Sequence, residues 1–98
     1  MDCNQTVICG KIIKLGVLRY TPAGCAVIDF TINHTSRQTE AGIDRQVLCE
    51  VFAVALGQTA VTISSFKTDT MVKLTGFLNR KSRINQQLVL HINNIVQI

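Results

Sequence analysis

Apolar residues recur along this chain at the two-residue period of strands far more than at the period of helices. Residues 6–20 read TVICGKIIKLGVLRY, rich in β-branched and aliphatic side chains, with Gly10 and Gly16 inside. Interior glycines weaken a strand but permit a bend or a bulge, so this stretch predicts one long, bent first strand. Thr21-Pro22-Ala23-Gly24 predicts a turn, with proline presetting φ and glycine closing it. In residues 25–35 Ala26, Ile28, Phe30 and Ile32 share one face while Asp29, Thr31 and Asn33 share the other, with Val27 between, as in a half-exposed antiparallel second strand. Residues 36–44, SRQTEAGID, are polar and predict a flexible connection.

The third predicted strand, residues 45–56, is apolar on both faces. Val47, Cys49, Val51, Ala53 and Ala55 occupy one, and Leu48, Phe52, Val54 and Leu56 the other. A strand of that kind is expected to be covered on both sides, by a helix or by a second subunit. Gly57 ends it, and residues 58–66, QTAVTISSF, predict a short helix with Ala60, Ile63 and Phe66 near one face. A fourth strand is expected over 70–78 and a basic loop over 79–87, NRKSRINQQ. The fifth strand, 88–98, changes phase at Asn93-Asn94, as a bulge would make it. Five short strands with one helix after the third predict a single all-β domain over 1–98, a five-stranded Greek-key OB-fold barrel. A small meander or a split sandwich is the other arrangement open to that pattern.

Composition adds little to the fold but much to the choice of partner. The 98 residues carry a formal net charge of +4. Residues 1–69 balance, whereas 70–98 hold Lys73, Arg80, Lys81 and Arg83 and no carboxylate, so the excess sits near one loop. A local cationic excess favours an anionic partner. At 47% hydrophobic and 16% charged the chain is too apolar for a disordered segment, and no apolar run approaches the length of a membrane span. No secretory signal is visible at the N-terminus, so a cytoplasmic setting is expected. Cys3, Cys9, Cys25 and Cys49 form no C-x-x-C pair, and they are expected to be reduced and mostly buried.

Catalytic chemistry is not expected. His34 and His91 are the only groups suited to act as neutral-pH bases; a serine close to His34 along a strand is expected to diverge from it, and His91 reads as a surface or interface residue. No phosphate-cradling loop or zinc spacing occurs, and no cofactor is expected. Binding remains. An OB barrel holds oligonucleotides across its second and third strands, between the loops joining strands one to two and four to five. Arg80, Lys81 and Arg83 fall in the second of those loops, and Arg45 opens strand three. Stacking platforms are scarce: Trp is absent, and strand three offers Ile43, Leu48 and Phe52.

The ordered residues Pro22-Ala23-Gly24, Glu40-Ala41-Gly42 with Arg45-Gln46 and Cys49, Gly76-Phe77, Lys81 and Leu88-Val89-Leu90-His91 resemble the primosomal replication protein N (PriB) family over most of the chain. That resemblance implies a non-enzymatic homodimeric OB-fold adaptor of bacterial replication restart. Its expected partners are single-stranded DNA, a restart helicase and other primosome proteins. By matched position it places DNA contacts on Arg45, Arg80, Lys81 and Arg83, and it puts the family's two aromatic contacts on Ile43 and Leu48, both aliphatic here. A general single-strand binding protein is the first competing reading, and the absence of a polar tail after Ile98 weighs against it. A protein-binding assembly module is the second, suggested by the missing aromatics.

Overall fold

A computed structural model describes residues 2–98. Six strands and one helix follow in the order β1 (Thr6–Leu15), β2 (Arg19–Tyr20), β3 (Ala26–Glu40), β4 (Ile43–Leu56), α1 (Gln58–Ser64), β5 (Met71–Arg80) and β6 (Leu88–Gln97). The hydrogen-bonded order is β1-β5-β6-β4-β3-β2, and a further β1–β3 pairing closes the sheet on itself. Five strands therefore form the barrel wall, with β2 a two-residue appendage on β3. All pairings are antiparallel except β4 with β6, which is parallel and joins through Ala53↔Leu90 and Val54↔His91 alone. This closed, mixed, five-stranded wall with a helix between its third and fourth strands is the OB-fold topology expected from the sequence.

β1 serves two neighbours. Its first half, Thr6–Lys11, pairs with β5, and Lys11–Leu15 pairs with β3 across an irregularity between Ile12 and Lys14. The predicted bend is thus present, but the strand does not run on to Tyr20. It stops at Gly16, whose N–H donates to the Asp29 carbonyl at 2.8 Å. A Cβ at this position would lie 2.7 Å from that same oxygen, so only glycine lets the two backbones meet there.

The flexible connection expected over 36–44 is instead the far end of an antiparallel hairpin. β3 and β4 stay in register without a break from Val27↔Leu56 to Glu40↔Ile43. A two-residue turn, Ala41-Gly42, reverses the chain, with φ of 53° and 78°. Two successive positive φ values are the signature of the type I′ turn, whose twist matches that of the flanking strands. The hairpin projects beyond the barrel as an arm, and the molecule measures 50 × 33 × 22 Å along its principal axes.

The core is made by the residues that the period-two pattern selected. Ile12, Ile28, Phe30, Ile32, Ala53, Ala55, Val72, Leu74, Leu90 and Ile92 line the barrel interior, and Ala60 and Ile63 of α1 join the same cluster. The helix therefore covers the Ala53/Ala55 face of β4 and leaves the Leu48/Phe52/Leu56 face open. The phase change in β6 is a bulge: Thr75 pairs with Asn94 and Gly76 with Ile92, leaving Asn93 as the extra residue. The cysteines depart from expectation. All four are free, but Cys3, Cys9 and Cys49 are exposed and Cys25 is only half buried. Cys9 points out of the barrel wall, whereas Cys49 shares the parity of Val51 and Ala53 but lies past the barrel where β4 runs into the arm, so the apolar run around each did not report its burial.

Candidate nucleic-acid interface

The outward face of β3 and β4 forms the floor of an open groove of about 650 Å³. In an antiparallel pair, residues in direct register share a face, so Asp29 stands beside Val54 and Thr31 beside Phe52. Lys14 adjoins Thr31 from β1, and His91 adjoins Val54 from β6. One rim comes from Lys14, Leu15, Gly16 and Arg19, at the end of β1 and the start of β2, and the other from Lys81 and Gln87 of the loop between β5 and β6. These are the positions where the sequence pattern expected an oligonucleotide to lie.

Three cations, Lys14, Arg19 and Lys81, and one carboxylate, Asp29, line this groove. Arg19 Nη1 donates to Asp29 Oδ2 at 2.7 Å. The apolar floor includes Phe52, which keeps 44% of its surface exposed. His91 stacks on Phe77 with ring centroids 5.1 Å apart and planes 11° from parallel. That stack sets the plane of the imidazole.

The six residues singled out from sequence do not converge on one spot. Lys81 lines the groove, and Arg80 is the last residue of β5 beside it. The loop is a folded turn: Lys81 N–H donates to the Gln87 carbonyl at 2.8 Å, and Ser82 N–H to the Asn85 carbonyl at 3.1 Å. Arg83 and Ile84 are the two central residues of that inner turn and are both exposed, Ile84 almost completely. Leu48, 65% exposed, stands on the extension of the groove face along the arm, opposite Thr35. Ile43 and Arg45 have the other strand parity and belong to the opposite face of the arm. Arg45 Nε is held by Glu40 Oε1 at 2.9 Å.

The sequence pattern did not mark Lys14, Arg19 and His91 as parts of a groove, and it named Phe52 among the side chains of strand three without separating it from Ile43 and Leu48. The signal for Phe52 was available, since it shares strand parity with Leu48 and lies within the barrel portion of β4. His34 also differs from expectation. Its Nδ1 lies 2.6 Å from the Cys9 carbonyl and its Nε2 2.8 Å from Ser36 Oγ. Residues two apart on a strand share a face, which brings His34 and Ser36 together. A carbonyl can only accept, so in the neutral ring Nδ1 carries the proton and the Ser36 hydroxyl donates to Nε2. The contact ties β1 to β3 beyond their last register pair, Lys11↔Asn33, and braces the root of the arm. It lies on the opposite face of β3 from Asp29 and Thr31. Among the described residues no group of His, Cys, Asp or Glu is arranged to hold a metal ion, and no helix is long and apolar enough to cross a membrane.

Comparisons with known proteins bear on the family and the fold. Residues 4–94 match a family described as another single-strand binding protein family. The replication restart protein PriB of Nitrosomonas europaea is 42% identical over 91 residues, covering 93% of this chain and 84% of the relative. The protein of the same name from Neisseria meningitidis serogroup C is 36% identical over 92 residues, covering 94% and 91%. Among solved structures, PriB from Ralstonia solanacearum superposes with a TM-score of 0.90 at 27% identity over 98% of both chains. The wild-type single-stranded DNA binding protein from Thermus aquaticus shares the fold, with a TM-score of 0.79 at 21% identity, over 98% of this chain and 50% of that one. A barrel closed in the OB manner, a groove over its β3–β4 face and these relatives together establish that the chain belongs to the PriB family of OB-fold single-strand binding proteins.

Proposed function

We propose that this protein is a non-enzymatic single-stranded DNA-binding adaptor of replication restart, holding the strand across the β3–β4 groove and meeting a restart helicase and other primosome proteins through the rest of its surface. The observation that carries the reading is the groove itself. Its two rims supply Lys14, Arg19 and Lys81, its floor presents Phe52, Val54 and Leu56 beside Asp29 and Thr31, and the chain belongs to a single-strand binding family. Cations spaced along a groove neutralise successive phosphates, and an apolar floor accepts unpaired bases; a paired duplex offers only its backbone to such a site. Arg80 and Arg83 extend the cationic rim along the loop. Each phosphate neutralised releases counterions, so affinity for a single strand falls with salt at a slope of about −0.7 per contact.

Fluorescence anisotropy tests this with labelled oligo-dT and a duplex of equal length, each at two salt concentrations. The single strand is expected to bind more tightly and to weaken as salt rises. The double variant Arg80→Ala, Lys81→Ala is expected to bind more weakly and to flatten the salt slope by about 1.4, with an unchanged circular dichroism spectrum. Absence of binding to oligo-dT at low salt would overturn the proposal. It would favour a protein-assembly module, for which the exposed Ile43 and Leu48 on the arm are the supporting observation.

A further inference from the structure

Phe52 is exposed where an aliphatic floor would have sufficed. Its position is set by the barrel and not by the arm: it pairs in register with Thr31, itself only 6% exposed, so the ring rises from a rigid part of the sheet. Two residues along the same face of β4 is Val54, and beside Val54 across the parallel seam is His91. Strand geometry puts Phe52 and His91 roughly 8 Å apart at their Cα atoms, one step diagonally across the groove. The imidazole is already clamped flat against Phe77. Lys14 stands on one side of this pair of rings and Lys81 on the other.

We infer that Phe52 and His91, the latter backed by Phe77, form a base-stacking subsite for unpaired nucleobases in the centre of the groove. The inference rests on the single-strand reading above and adds to it the residues that hold the bases. Three features favour a nucleobase over another apolar occupant. The two rings offer flat π-faces to a ligand, whereas a docked aliphatic side chain would gain only burial from position 52 and no stacking. The flanking cations stand where the phosphates on either side of a stacked base would pass. The imidazole is pre-oriented, so stacking on it costs no side-chain ordering. Leu48 and Ile43 cannot do this work: they are aliphatic, they lie on the arm outside the groove, and they face opposite ways. The chain therefore carries its aromatic platform within the barrel.

The test compares oligo-dT with an abasic strand of equal length, which keeps the phosphates and lacks the bases. Wild-type protein is expected to bind oligo-dT about 10-fold more tightly than the abasic strand. Phe52→Leu keeps an apolar side chain on an outer face and removes only the π-face. It is expected to lose about 5- to 10-fold on oligo-dT while staying within about twofold of wild type on the abasic strand. His91→Gln, with folding checked by circular dichroism, is expected to show the same selective loss to a smaller degree. If Phe52→Leu binds both strands as wild type does, or weakens both equally, the subsite is overturned and the single-strand reading stands. If wild-type protein binds neither strand, the single-strand reading itself fails and the subsite fails with it.

Discussion

Asp29 places a carboxylate in a groove otherwise rimmed by cations, and Arg19 answers it at 2.7 Å. Both side chains are more than half exposed, 56% and 60%, so the pair contributes less than about 1 kcal/mol to folding. In the proposed complex its larger effect would fall on the ligand, because a phosphate approaching Arg19 would have to compete with Asp29. Asp29→Asn is therefore expected to tighten oligo-dT binding about 3-fold at low salt and to steepen the salt slope by about 0.7. Anisotropy titrations at several salt concentrations check both; weaker binding would mean that Asp29 positions Arg19 instead of restraining it. The pair also shows what a charge count conceals. Residues 1–69 balance on paper, and that balance hid Lys14 and Arg19, which the fold carries to the same rim. The excess after residue 69 was visible because Arg80, Lys81 and Arg83 are neighbours in sequence as well as in space. Burial of single cysteines was equally out of reach, since an apolar run says neither which way Cys9 points nor that β4 has left the barrel by Cys49.

The barrel strands were legible because each has one buried face, and burial writes a period of two into the sequence. The arm has no such face. Along residues 36–46 both sides of the hairpin are solvated, so nothing selects apolar residues at alternate positions, and the segment reads as a loop. What holds it as strand is the uninterrupted β3–β4 ladder together with the Ala41-Gly42 reversal, a short-range signal that polar surroundings obscured. Ala41 adopts φ 53°, where a Cβ crowds the following carbonyl. Ala41→Asn supplies the residue that, after glycine, best tolerates this conformation and creates an Asn-Gly turn. It is expected to stabilise the protein by about 0.5–1 kcal/mol, read as a higher midpoint in urea with an unchanged slope. A lower midpoint would show that the arm is set by contacts other than its turn. Bulges fall between these cases: the one at Asn93 was legible because it shifts the phase of flanking apolar residues, whereas the stop at Gly16 depends on how closely Asp29 approaches, which no local pattern records.

For the whole molecule, the open face of β4 bears on assembly. The doubly apolar strand predicted a second cover, and α1 covers only one side. Phe52, Val54 and Leu56 line the groove, so they serve a ligand more readily than a subunit, and Leu48 alone is left on the arm. The remaining exposed apolar residues of the barrel include Val7, Met71 and Val96. Registers Cys9↔Lys73↔Val96 and Lys11↔Met71 bring them to the outward side of β1, β5 and β6. A homodimer that joins these faces would leave both grooves free. Sedimentation velocity at micromolar concentration is expected to give about twice the 10.8 kDa chain mass, and Val7→Glu to give the chain mass alone. A monomeric wild type would refute the dimer, and a dimeric Val7→Glu would move the interface elsewhere.

The parallel join of β4 to β6 has one more consequence. It is the shortest seam in the barrel wall, two register pairs against fourteen for β3 with β4. Because local opening costs least where fewest backbone hydrogen bonds must break, the wall parts most readily between Val54 and His91. That is the floor of the groove. A DNA strand held there as proposed would bridge the weakest line of the barrel, so occupancy would sew the cylinder shut and loosening the seam would release the ligand's footing.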